Sequence, residues 1–177
     1  MPKSPAIAGT AVPKVVHDDD APVSHLDLLR ARADRLARAA VESCRQHERC
    51  AEIVERDGVD PAELGGWLEL TGMADRLLGE ATAAYEKTSA KLKAGDDDLP
   101  WRRKANVLWL AAREHVRRHT MGDRLTRRVG AAHTADRLGE LHVAFELEAS
   151  AILSLRQAAE GYCHARPEAR EPGGQGR

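Results

Sequence analysis

Large aromatic side chains are scarce in this chain: one phenylalanine, two tyrosines and three tryptophans among 177 residues. So few rings exclude a core built on aromatic stacking. Leucine and alanine must fill the interior, which suits closely spaced helices. β-Branched residues are also few, which disfavours extended sheet. No stretch approaches the ~20 consecutive apolar residues that a membrane-spanning helix needs. The first residues, with Pro2, Pro5, Pro13 and then Asp18–Asp20, contain no continuous apolar signal region. A soluble, cytoplasmic protein without membrane contact is expected. The net charge is −1, which removes any bulk attraction to nucleic acid or anionic lipid.

Cysteine is limited to Cys44, Cys50 and Cys163. On one helix Cys44 and Cys50 would stand about 9 Å apart along the axis. A disulfide tolerates roughly 7 Å between Cα atoms. Reduced, structural thiols are therefore expected. Several catalytic signatures are also missing. There is no Gly-rich phosphate loop, no Gly-x-Ser-x-Gly elbow and no His-Glu-x-x-His pattern. Neither a Cys-x2-Cys pair nor a Glu-x-x-His pair occurs. No catalytic residue and no cofactor is expected from these motifs.

What the chain has is helical periodicity. Residues 1–22 and 164–177 lack it, are rich in Pro, Ala, Asp and Gly, and read as a disordered lead and tail. Residues 23–163 contain four long amphipathic segments. The first carries the stripe Leu26, Leu29, Ala33, Leu36, Ala40, Ser43, His47, Cys50, Val54. Ser24 is its expected N-cap, Val23 its staple to Leu28, and Gly58 its end. The second opens on Asp60-Pro61 with Glu63 completing a capping box. Its stripe runs Leu64, Trp67, Thr71, Ala74, Leu78, Ala81, Tyr85, Thr88, Leu92. Gly65, Gly72 and Gly79 recur beside it every seven residues and suggest close approach of another helix.

Gly95 and Asp96–Asp98 form the next expected loop. The third segment starts near Leu99-Pro100 and carries Trp101, Ala105, Leu108, Ala112, His115 and His119. Gly122 and Gly130 threaten its continuity, and a short separate piece at 123–129 is an option. The fourth runs to Gly161 along Leu138, Leu141, Phe145, Glu148 or Ala149, Ile152, Leu155, Ala159, Tyr162. Short connections imply antiparallel neighbours. The expected fold class is an all-α, antiparallel up-down-up-down four-helix bundle with coiled-coil-like pairing.

Three constellations could carry function. The first is basic: residues 101–137 hold ten Arg or Lys against three acids. A nucleic-acid surface would use Arg102, Arg103, Lys104, Arg113, Arg117, Arg118, Arg124, Arg127 and Arg128. The competing reading is intramolecular. Residues 58–99 hold nine acids against four bases, and residues 138–163 four acids against one base. In an up-down bundle these are the two neighbours of the basic helix, so opposite charges would set helix pairing.

The second constellation is a metal or haem site. The metal-ligand candidates are His47, Cys50, His115, His119, His142 and Glu146, at one-turn spacings on three helices. The span Cys44-x2-His47-x2-Cys50 turns through too wide an arc to converge on one ion. His142 lies one position off the fourth stripe. The third is Glu148 near the apolar stripe, expected at the bundle boundary, meeting solvent or an arginine such as Arg113 or Arg117.

The leading expectation is a non-enzymatic helical interaction or assembly module, self-associating or docking on a protein partner. A nucleic-acid-associated helical protein and a metal- or haem-binding bundle are the alternatives. On the leading reading Ser43, His47 and Cys50 form a polar layer that fixes helix register, and His47→Leu would stabilise the fold or loosen its specificity without abolishing a reaction.

Overall fold

The computed structural model describes residues 24–56, 58–91, 99–129 and 135–166; for 129 and 135–137 only the backbone is described. The chain is an all-α four-helix bundle. Its helices are α1 (His25–Val54), α2 (Pro61–Ser89), α3 (Pro100–Val129) and α4 (Ala135–Ala165). The lead at 1–22, the Val23 staple, Leu92, the loop at Gly95 and Asp96–Asp98, Gly130 and the tail beyond 166 lie outside the described residues.

Local chemistry explains the helix starts. Ser24 caps α1 by accepting the Asp27 amide at 3.0 Å. Asp60 caps α2 by accepting the Ala62 amide at 2.9 Å, with Pro61 in the first turn. Glu63 does not close the expected box; it reaches Arg56 instead, at 3.5 Å. α1 ends at Val54, and Gly58 takes φ +76° in the turn that follows, a backbone conformation other residues seldom adopt.

The core is small-residue and leucine-based, as the scarcity of rings requires. Leu29, Leu36, Ala40, Leu78, Leu108, Ala112 and Leu155 are fully buried. Tyr85 and Tyr162 are buried as well, with their hydroxyls donating to Asn106 and Asp34 at 2.7 Å. Trp101 joins this cluster.

Helix contact is most extensive between α1 and α2 and between α3 and α4. α3 also touches α1, so it is not confined to the two neighbours expected from the charge pattern. α2 and α4 make no contact among the described residues. The two pairs therefore meet with α1 and α3 across the short diagonal.

Several expectations are corrected. α3 runs unbroken through Gly122 to Val129, so there is no separate piece at 123–129. A Cβ on Gly65 or Gly72 would meet nothing within 4 Å, and one on Gly79 only Val116 at 3.9 Å. The glycine register therefore marks no close helix approach. On α4 the expected stripe holds at Glu148, Leu155, Ala159 and Tyr162, which are buried, but Leu138 and Phe145 are about half exposed and Ala144 and Ala151 point inward in their place. Apolar residues lie all around α4, so spacing alone could not choose the inward face.

Candidate metal centre

Each helix turns a polar side chain toward one point in the bundle. α1 supplies Ser43 and His47, one turn apart. α2 supplies Asp75, one turn beyond Thr71 and just before Leu78, all three on its inward face. α3 supplies His115 and His119, again one turn apart. α4 supplies Glu148. Ser43, Asp75, His115 and Glu148 are buried, and His47 and His119 are half-buried.

Asp75 is the hub. Its Oδ1 accepts from the Ser43 hydroxyl at 2.6 Å and from His115 Nε2 at 3.1 Å. Its Oδ2 faces His47 Nε2 at 2.9 Å and His119 Nδ1 at 3.4 Å. His119 Nδ1 also lies 2.7 Å from Glu148 Oε1, and its Nε2 is 4.0 Å from Asp123. The imidazoles crowd one another. Ring centroids of His47 and His115 are 5.1 Å apart, and those of His47 and His119 are 6.2 Å apart.

The electrostatics follow from burial and partners. Burial opposes charge on Asp75, but hydrogen bonds from His115, His47 and Ser43 and the His47 charge outweigh it. Its carboxyl is held well below the usual range. The Glu148 hydrogen bond raises the His119 pKa to about 9, against the opposing effect of burial and with help from the charge of Asp75. His115 donates from Nε2, while its buried Nδ1 has no hydrogen-bond partner among the described atoms.

One ligand atom from each of His47, Asp75, His119 and Glu148 can be chosen so that all four lie within 4.8 Å of one another. Around an ion about 2.1 Å from each donor, adjacent donors stand roughly 3.0–3.4 Å apart, in octahedral or tetrahedral geometry. Of the observed separations, 2.7 and 2.9 Å fall just short of that range and 3.4 Å lies at its upper end, with no pair beyond 4.8 Å. Two carboxylates would balance the charge of a divalent cation. Gly122 helps seat one of them. A Cβ at Gly122 would come within 3.2 Å of Glu148 Oε2, so the missing side chain leaves room for that oxygen.

The sequence candidates divide clearly. His47, His115 and His119 come together. His142 and Glu146 do not; they pair with each other at 3.2 Å on the exposed side of α4. Cys50 lies outside the converging set. Cys44 is buried with Sγ 3.8 Å from the Ile152 carbonyl and is not a member of the converging set. Glu148 meets His119 rather than an arginine of α3, and it is buried rather than at a solvent boundary. Asp75 lies beside the expected α2 stripe, which passes through its neighbour Ala74. The available signal was an acid one turn beyond Thr71 and three residues before Leu78.

The basic face of α3 is less free than its composition suggests. Arg102 is buried. Arg117 and Arg118 both bind Glu114 of their own helix, at 2.7 and 2.6 Å. Arg113 lies over the Trp109 ring at 5.5 Å, and Arg127 approaches Asp123 at 4.0 Å. Arg103, Lys104, Arg124 and Arg128 are exposed. The counter-charges of Arg117, Arg118 and Arg127 thus come from α3 itself, not from the acidic α2. Among the described residues, no helix is long and apolar enough to cross a membrane. Compared with protein-family models, with curated proteins and with solved structures, the chain matches none.

Proposed function

We propose that this protein is a metal-binding helical bundle whose centre is His47, Asp75, His119 and Glu148. The observation that carries this reading is the convergence of two imidazoles and two carboxylates, one from each helix, at ligand spacing. It displaces the assembly module, which the sequence favoured only for want of converging partners. Two nitrogens, two oxygens and no thiolate suit zinc or divalent iron and manganese better than a soft cation. The protein already offers four donors around one point, which favours a bare ion over haem, whose porphyrin supplies four donors of its own. Ser43 and His115 hold Asp75 from its other oxygen, as outer hydrogen bonds commonly orient metal ligands. A reducing, cytoplasmic setting belongs to this reading, since all three cysteines are unpaired.

The test is metal analysis of protein purified without a histidine tag, then titration of the stripped protein with zinc, ferrous iron and manganese. About one equivalent should bind and raise the unfolding temperature, because a ligand held only by the native state stabilises it. His119→Ala and Glu148→Ala should lose that shift. Absence of any uptake by the folded, stripped protein overturns the reading.

A second reading concerns association. Leu70, Met73 and Leu77 lie exposed along one side of α2. Such a face supports self-association or docking on a protein partner. Light scattering across a concentration series should then detect a species larger than 19.3 kDa.

A further inference from the structure

We infer that the ion in this centre keeps one coordination position open to small exogenous ligands, water and small anions, on the side of His47 and His119. This rests on the metal-binding reading above and adds what the ion is free to bind.

The residues of the centre are covered unequally. The side chains of Asp75 and His115 are 3% and 0% exposed, and that of Glu148 is 10% exposed. Those of His47 and His119 are 16% and 26% exposed. Behind Asp75, its Oδ1 is covered by Ser43 and His115, both fully buried. That side of the centre is closed to solvent by its own side chains. The gradient of exposure runs toward the two ligand histidines, so any further donor must come from their side.

Donor number points the same way. Four protein donors complete only a tetrahedral shell. A purely structural ion would have all four drawn in and covered. Here, the side chains that carry two of the donors, His47 and His119, are partly exposed. Iron and manganese accept five or six ligands and would take water there. Zinc can expand to five. Two carboxylates neutralise the dication, so a neutral or singly charged small molecule can approach without strong repulsion. Asp123, exposed and 4.0 Å from His119 Nε2, stands on the same side and adds its negative charge beside the ring.

The test uses the full chain loaded with cobalt(II), whose visible absorption reports coordination number. Azide is the probe. A saturable shift of the visible bands on adding azide, with cobalt still bound after gel filtration, is the expected result. Manganese-loaded protein should also enhance water-proton relaxation beyond that of a fully covered ion. Cobalt uptake with an intense tetrahedral spectrum that azide leaves unchanged overturns the open position while sparing the metal-binding reading. Loss of cobalt to the azide solution also overturns it, because the anion would then be stripping the ion rather than joining it. Failure to take up cobalt, zinc, iron or manganese at all overturns both.

Discussion

The carboxylates of Asp75 and Glu148 meet at one atom, Nδ1 of His119, at 3.4 and 2.7 Å. They stand on α2 and α4, whose described residues make no contact with each other. A histidine on the short diagonal thus joins the two helices that the bundle keeps apart. Removing this junction, or filling it with a cation, should therefore be felt across all four helices.

Asp75→Ala should be among the most damaging single changes. It strips partners from Ser43, His47 and His115 at once. Breaking a buried charged network by removing one member typically costs about 3–5 kcal/mol. Urea unfolding of the metal-free variant checks this. By the same argument His47→Leu should destabilise the metal-free protein, because it takes a partner from buried Asp75. That reverses the sign expected when His47 was read as one member of a polar layer without a buried acid facing it.

Gly122→Ala separates fold from site. Alanine in a helix interior is favoured over glycine by roughly 1 kcal/mol. Its Cβ would sit 3.2 Å from Glu148 Oε2, closer than is comfortable, and Glu148 must give way. Metal affinity should fall by about tenfold, as it does when support for a ligand is disturbed. Stability of the metal-free protein should not fall. Isothermal titration beside chemical unfolding reads both quantities on one preparation.

The metal-free protein should lose stability as pH rises from neutral to above 9. The folded-state pKa of His119 is raised to about 9, first through its hydrogen bond to Glu148, above the ordinary value of 6.5. A raised pKa means that the native state holds the proton more tightly than the unfolded chain does. The stabilisation is therefore complete below about 6.5, declines above it, and is gone once His119 loses its proton in the fold. Glu148→Gln weakens the pair, so the stability difference from the natural sequence should shrink over that interval. Urea midpoints for both proteins at three pH values test the sign.

Thiol labelling should follow burial. Cys163 is exposed, Cys50 half-buried and Cys44 buried. Burial pushes the Cys44 thiol up to about 11 and also raises that of Cys50. At mildly alkaline pH Cys163 should be alkylated first, Cys50 more slowly and Cys44 only after unfolding. Mass spectrometry of timed samples resolves the order. Rapid labelling of Cys44 in the native protein would contradict its place between α1 and α4.

Much of the architecture could be read from local chemistry. Ser24 and Asp60-Pro61 announce two helix starts, and the α1 stripe matches its buried face through Leu29, Ala33, Leu36, Ala40 and Ser43. α4 resisted, because its apolar residues leave no single face, and Phe145 went to the surface while Ala144 went inside. The site was half legible. His47, His115 and His119 stood out as polar residues at core spacing. Asp75 and Glu148 did not register as their partners, because nothing along the chain says that positions 47, 75, 119 and 148 share one point.

Residue order along the chain is enough to make this protein helical, to fill its core with leucine and alanine, and to interrupt two inward faces with histidine. Those properties depend on spacing along one helix, which the chain carries in its own order. Which helices meet, and at what register, depends on packing between segments far apart in the chain. That choice brought Asp75 under His47 and Glu148 against His119, and it sent His142 and Glu146 to the surface together. A cluster drawn from four helices is a property of packing. A pair of buried carboxylates held by imidazoles exists only once the bundle has closed.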